Sequence, residues 1–78
     1  MYDKAHTTKI YTNFNLIWGI HEDKTNWVDT WADQLSQRQF EPDAIESTVD
    51  FCEKYLDQLP SLSEFTHFCE FINEGERN

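Results

Sequence analysis

The chain has 78 residues, of which 38% are apolar and 15% aromatic, and a formal net charge of −9. A chain of this length makes one domain at most, and since no run of 18 apolar residues occurs, a transmembrane helix is not expected. With only two glycines and two prolines against many aromatic residues, the composition favours an all-α fold, a compact bundle of about four short helices forming a single domain over residues 1–78. The ends, 1–6 and 74–78, are expected to fray.

The negative charge is concentrated in the second half of the chain. Residues 1–38 carry five acidic and four basic side chains, whereas residues 39–78 carry ten acidic and two basic ones, a net charge of −8. Such a half repels nucleic-acid phosphates, so we expect no direct binding to DNA or RNA. The acidic second half instead favours a protein partner with a basic surface. The alternative is that its charge serves only to keep the chain soluble. With no apolar signal segment at the N-terminus, we expect the chain in the cytoplasm.

The first predicted helix begins at Thr7 or Thr8, either of which is a suitable N-cap. Gly19 stands where this helix should end, because glycine adopts the left-handed conformation that commonly follows a helix. Apolar side chains recur between these limits at helical spacing and predict one buried face: Ile10, Phe14, Ile17 and Trp18.

A second helix is predicted to start at Thr25 or Asn26, after a polar connector at residues 21–24. It fades through residues 36–39, where the apolar pattern stops. Its predicted buried face repeats at intervals of about four residues and consists of Trp27, Val28, Trp31 and Leu35.

A third helix is predicted from Pro42, since proline suits the first helical position, to a stop at Leu59 and Pro60. The acidic side chains in its first turn suit the positive end of the helix dipole. Its inner stripe is predicted to contain Ile45, Val49, Cys52 and Leu56, flanked by Phe51 and Tyr55.

The fourth helix has the clearest start signal in the chain. Pro60 disfavours helix before it, and Ser61 with Glu64 three residues later forms the pattern of a capping box, in which each side chain accepts from the other residue's backbone N–H. The helix is predicted to run to about Asn73, with Gly75 as its stop. Its inner stripe is Leu62, Phe65, Cys69 and Ile72.

No pattern of catalytic or metal-ligating residues emerges from the sequence. Cys52 and Cys69 are 17 residues apart and both fall on apolar stripes, so we expect them to pack as small hydrophobic side chains that approach each other. A zinc site needs four nitrogen or sulfur ligands, usually in close pairs, and His67 lies two residues before Cys69, on a different side of the helix. We therefore expect no enzyme activity, no metal and no cofactor.

Two features of the second half suggest a protein-binding surface. Five acidic side chains recur at spacings of three and four along the third helix and are predicted to align on its outer face: Asp43, Glu46, Asp50, Glu53 and Asp57. A one-sign stripe suits a docking surface for a basic partner, because a plain solvated face more often mixes both signs, and a plain solvated face remains the alternative. Phe68 and Phe71 lie off the inner stripe of the fourth helix, and exposed rings can anchor an interface.

The order and spacing of Trp31, Pro60, Ser61, Phe65 and Cys69 resemble the replication protein P family of lambda-type phages. In that family a tryptophan-bearing helix leads into an amphipathic helix and then a proline–serine segment followed by phenylalanine and cysteine. The residues from Phe14 to Trp18 are similar to the preceding helix of the same region. The resemblance covers about residues 10–72, corresponding to one helical module of longer family members.

The resemblance implies a role in phage or mobile-element DNA replication. Family members are adaptors that bring the replicative helicase of the host to an origin complex through protein–protein contacts, with no catalytic residues to transfer. Our leading interpretation is a non-enzymatic interaction module of this kind. The alternatives are an acidic inhibitor that imitates nucleic-acid charge to block a host or defence protein, as anti-CRISPR proteins do, and a small structural domain that forms a homodimer.

Overall fold

The structure is a computed structural model that describes residues 3–77, with side chains to residue 75. It contains four α-helices, α1 (Lys4–Ile17), α2 (Lys24–Gln37), α3 (Pro42–Tyr55) and α4 (Leu62–Arg77). Residues 3–77 include no β-strand. The predicted all-α class with about four short helices is therefore confirmed. Of the two ends predicted to fray, residues 1, 2 and 78 lie outside the described part.

The helices pack in two pairs, α1 with α2 and α3 with α4. These pairs form two compact units, residues 1–39 and residues 40–78. That they belong to one domain stays a prediction. None of the helices described combines the length and the apolar character needed to cross a membrane.

α1 begins earlier than predicted because Asp3 is its N-cap. The Asp3 carboxylate accepts a hydrogen bond of 2.9 Å from the backbone N–H of His6, and this bond holds the pKa of the carboxyl below its usual value. The predicted caps, Thr7 and Thr8, are inside the helix. Their hydroxyls donate to the carbonyls of Asp3 and Lys4, at 3.0 and 2.7 Å. A threonine engaged with the preceding turn in this way cannot serve as a helix start.

The end of α1 is where the sequence predicts it. Gly19 has a φ of +79°, and its N–H donates to the carbonyl of Asn15 at 3.0 Å. The side chain of Asn15 also accepts from the N–H of Ile20, at 2.8 Å, which fixes the exit of the chain. The predicted apolar face was too wide at this end, because Ile17 is 48% exposed and Trp18 is half-buried.

The N-cap of α2 is likewise an aspartate, two or three residues before the predicted start at Thr25 or Asn26. The carboxylate of Asp23 accepts from the backbone N–H of Asn26 at 3.2 Å, and the first helical residue is Lys24. The helix ends at Gln37, within the range where the apolar pattern fades.

Aromatic rings form the centre of the α1–α2 pair. Trp27 and Trp31, one turn apart on α2, are stacked with ring centroids 4.2 Å apart, and Phe14 of α1 meets both rings edge-on. Such pairs contribute about 0.5–1.5 kcal/mol beyond the area that they bury. The predicted inner face of α2 is confirmed, since all four of its members are buried: Trp27, Val28, Trp31 and Leu35.

α3 begins at Pro42 as predicted but ends at Tyr55, before the predicted stop at Leu59 and Pro60. Leu56 is extended, with φ −93° and ψ 140°, and the following residues bend. Residues 56–61 then connect α3 to α4. The prediction that Asp57 lies on this helix is therefore wrong.

The α3–α4 pair is an antiparallel hairpin with a small buried core. The predicted inner stripes are confirmed at their centres, because Ile45 and Cys52 of α3 and Phe65 and Cys69 of α4 have no exposed surface. The ends of the stripes are only half-buried, and they consist of Leu56, Leu62 and Ile72.

The capping box at the start of α4 is present. The backbone N–H of Glu64 donates to the Ser61 hydroxyl at 3.1 Å, and the N–H of Ser61 donates to the Glu64 carboxylate at 3.2 Å. The predicted end near Asn73 is wrong, since α4 continues to Arg77 with Gly75 inside it. A glycine within a helix costs only about 1 kcal/mol relative to alanine, so it does not force a stop.

Candidate protein-interaction surface

The acidic stripe of α3 consists of four side chains. Asp43, Glu46 and Asp50 are exposed, whereas Glu53 is half-buried. Their spacing of three and four residues places them along one side of the helix, and like charges at this spacing repel each other. No ion pair joins a member of the stripe to a cation of residues 3–75. The fifth predicted member, Asp57, lies in the bend after the helix.

The basic side chain nearest to the stripe in sequence is engaged with a ring. The ammonium group of Lys54 lies over the ring of Tyr55, 5.4 Å from its centroid. Tyr55 is itself 63% exposed, and its ring contacts Phe51 with centroids 5.2 Å apart. The acidic stripe thus remains available to cations from outside the hairpin.

The two rings singled out on α4 differ in their surroundings. Phe71 is 79% exposed, as an interface anchor requires. Phe68 was also expected to be an exposed ring, but it is half-buried, because it packs on Phe51 of α3 with centroids 5.4 Å apart. The ring contact between Phe51 and Phe68 therefore joins the two helices.

Beside this ring contact, α3 and α4 enclose an open apolar groove of about 430 Å³. Its lining consists of Phe51, His67, Phe68, Phe71 and Ile72. Of these residues, only Phe68 and Phe71 were predicted from the sequence to be contact residues. His67–Phe71 and Phe68–Ile72 are four residues apart and share a helical face, so that part of the lining could have been found from spacing. The contribution of Phe51 could not, because it depends on which residue of α4 it meets.

Acidic side chains flank the groove on α4. Glu64 precedes Phe68 by four residues and Phe71 by seven, which places its exposed carboxylate on the face that carries both rings. Glu74 follows Phe71 by three residues and is also exposed. The groove is therefore an apolar surface with an acidic side chain near each end of its α4 wall.

The two cysteines are buried as thiols, as predicted. Burial, together with the smaller effect of the negative charges of Glu53 and Glu64, raises the pKa of Cys52 to about 11. A thiol held in its protonated form is a poor nucleophile and a poor metal ligand. No group of three side chains suited to holding a metal ion occurs within the described sequence.

One exposed apolar site lies outside the hairpin. Leu16, near the end of α1, is 80% exposed, and the neighbouring Ile17 is partly exposed. Neither borders a charged stripe like that of α3, since α1 carries only Lys4 and Lys9 as charged residues besides His6. The combination of an apolar groove with acidic side chains is therefore a feature of the α3–α4 hairpin.

Comparison with known proteins finds no matching family model, no matching curated protein and no matching solved structure.

Proposed function

We propose that this chain is a non-enzymatic protein-interaction module of a phage or mobile element, similar to the helical domain of replication protein P. In this proposal it acts in the cytoplasm and binds a replication protein, such as the replicative helicase or a component of the origin complex. The observation that carries the proposal is the acidic stripe of α3 on the same hairpin as an apolar groove with an exposed Phe71.

The charge distribution supports a basic protein surface as the target. The second half of the chain has a net charge of −8, and the acidic stripe has no cationic partner among the described residues. Complementary charge speeds association and excludes wrong partners, while burial of apolar side chains supplies most of the affinity. The acidic stripe and the groove offer both on one hairpin.

The test is a binding titration between the purified chain and the purified helicase, and separately the origin-binding protein, of the same host. Glu46→Gln combined with Asp50→Asn should weaken binding about tenfold at low salt, because it removes two of the exposed charges of the stripe. The matched control is Asp29→Asn combined with Asp33→Asn, which removes the same charge from α2 and should leave the affinity unchanged. If neither replication protein binds the wild-type chain, the proposal fails.

The second candidate is an inhibitor that imitates nucleic-acid charge, and the single sign of the acidic stripe is the observation that favours it. Such an inhibitor would compete with DNA for its target, and its affinity would fall steeply as salt rises. The adaptor instead depends on Phe68 and Phe71, so its complex should persist at about 0.5 M salt.

A third candidate, a homodimer, would show a doubled mass in light scattering.

A further inference from the structure

The groove of the α3–α4 hairpin is open to solvent although its lining is almost wholly apolar. Phe71 is the most exposed of its apolar side chains, at 79%, whereas Phe51, Phe68 and Ile72 are half-buried. An apolar concavity between two helices is an ordinary site for a partner side chain, because burying a ring or an aliphatic chain there contributes about 1.5–3 kcal/mol.

The lining of the groove extends along α4 for more than one helical turn, from His67 to Ile72. Its walls are two antiparallel helices, with one lining residue from α3 and four from successive turns of α4. The volume of about 430 Å³ leaves room for a few apolar side chains and not for a folded loop. Grooves of this kind accept the apolar face of an amphipathic helix, which inserts residues at spacings of three, four and seven.

The charges around the groove define the chemistry of that helix. Glu64 and Glu74 flank the rings of α4, and Asp50 of the acidic stripe directly precedes Phe51 on α3. A second copy of this chain would bring another second half, residues 39–78 with a net charge of −8, against these carboxylates, so charge opposes a homodimer here. Lysine and arginine side chains on both sides of an apolar face would complement them.

From this geometry we infer that the α3–α4 groove binds a basic amphipathic helix of the partner protein. Two or three large apolar side chains of that helix fill the groove against Phe51, Phe71 and Ile72, and its flanking lysines and arginines contact the acidic side chains on either side. The inference rests on the proposed function, since it specifies how a module that binds a basic protein surface recognises it.

The probe for the test is a designed peptide of about 16 residues, with leucines at helical spacings of three, four and seven and lysines on both flanks. A second peptide has the same composition in a scrambled order that gives no apolar face. Each is titrated into the full-length, isotope-labelled chain and followed by amide NMR shifts. The patterned peptide should shift the amides of Phe51, Phe68 and Phe71, and the scrambled peptide should bind at least about tenfold more weakly.

Two variants distinguish binding in the groove from non-specific binding of the peptide to exposed apolar side chains. Phe71→Ala removes the most exposed ring of the groove and should weaken the patterned peptide at least about tenfold, with little effect on folding since the ring is 79% exposed. Leu16→Ala removes an apolar side chain of matching exposure, 80%, from α1 and should leave the affinity unchanged.

The inference is overturned if the scrambled peptide binds equally well, if the shifts map to α1 and α2, or if both variants behave alike. Parallel titrations with the replication proteins separate the two proposals. Binding of a replication protein without any response of the groove to the patterned peptide would remove the inference and keep the proposed function. Groove binding of the peptide without binding of either replication protein would remove the proposed function and support the groove as a helix-binding site.

Discussion

The side-chain oxygen of Asn73, late in α4, accepts a hydrogen bond of 3.0 Å from the backbone N–H of Glu41, the residue before α3. Glu41 makes no side-chain capping bond of its own. The start of α3 is therefore linked to α4 by a residue 32 positions away. Asn73 is only 8% exposed, and this hydrogen bond satisfies its buried side-chain oxygen. This bond closes one end of the hairpin.

Replacement of Asn73 by alanine should lower the free energy of unfolding by about 1–3 kcal/mol, because the N–H of Glu41 would lose its acceptor in a part-buried setting. The measurement is chemical denaturation followed by circular dichroism. Asn13→Ala, at an exposed position of α1, is the control and should change stability by less than about 0.5 kcal/mol. Equal effects of the two changes would contradict a structural role for the Glu41–Asn73 bond.

The capping box gives a second prediction. Ser61→Ala should destabilise the chain by about 1 kcal/mol, because the N–H of Glu64 loses its acceptor. Glu64→Ala should do the same through the N–H of Ser61, and the double variant should cost less than the sum of the two, since the bonds are reciprocal. Ser63→Ala, an exposed position in the same turn, serves as the control in the same denaturation series. Strict additivity would show that the two bonds act independently.

The two glycines should respond in opposite directions to alanine. Nothing lies within 4 Å of a side chain added at Gly75, which is inside α4, so Gly75→Ala should stabilise the chain by about 0.5–1 kcal/mol. At Gly19 the φ of +79° is unfavourable for alanine, and Gly19→Ala should destabilise it by about 1 kcal/mol. Thermal unfolding of both variants checks the pair. A stabilising Gly19→Ala would contradict the left-handed end of α1.

Cys52 should make stability fall in alkaline solution. The pKa of the thiol is raised from 9.0 to about 11, with burial as the largest cause. Between these two pH values the folded state keeps a proton that the unfolded chain releases. Stability that is complete below pH 9 is therefore lost as the pH approaches 11. Over this range the free energy of unfolding of the wild type should fall more than that of Cys52→Ala, by on the order of 1–2 kcal/mol. Parallel pH profiles of the two proteins would show that the thiol does not contribute.

The sequence predicted the features that depend on neighbouring residues. The Ser61–Glu64 capping box and the stop at Gly19 were found because their partners lie within five residues. The N-caps Asp3 and Asp23 were missed because threonine and asparagine nearby offered the same signal, and only the actual bonds decide between such candidates.

Features that depend on the pairing of helices could not be predicted in this way. The Phe51–Phe68 contact and the Glu41–Asn73 bond each require the register of α3 against α4. The early end of α3, which removes Asp57 from the acidic stripe, comes with the extended backbone of Leu56, for which the sequence gives no local signal. Phe71 and three acidic positions of the stripe were identified as exposed from periodicity alone, because surface positions need no partner.

The placement of the tryptophans, including the stacked Trp27 and Trp31, makes fluorescence a probe of one half of the chain. All three tryptophans of the chain, at positions 18, 27 and 31, belong to the unit of residues 1–39. Emission excited at 295 nm therefore reports on that unit, whereas far-ultraviolet dichroism reports on the helices of both. Coincident melting curves from the two signals would indicate that residues 1–78 unfold as one cooperative domain, and separate curves would indicate two.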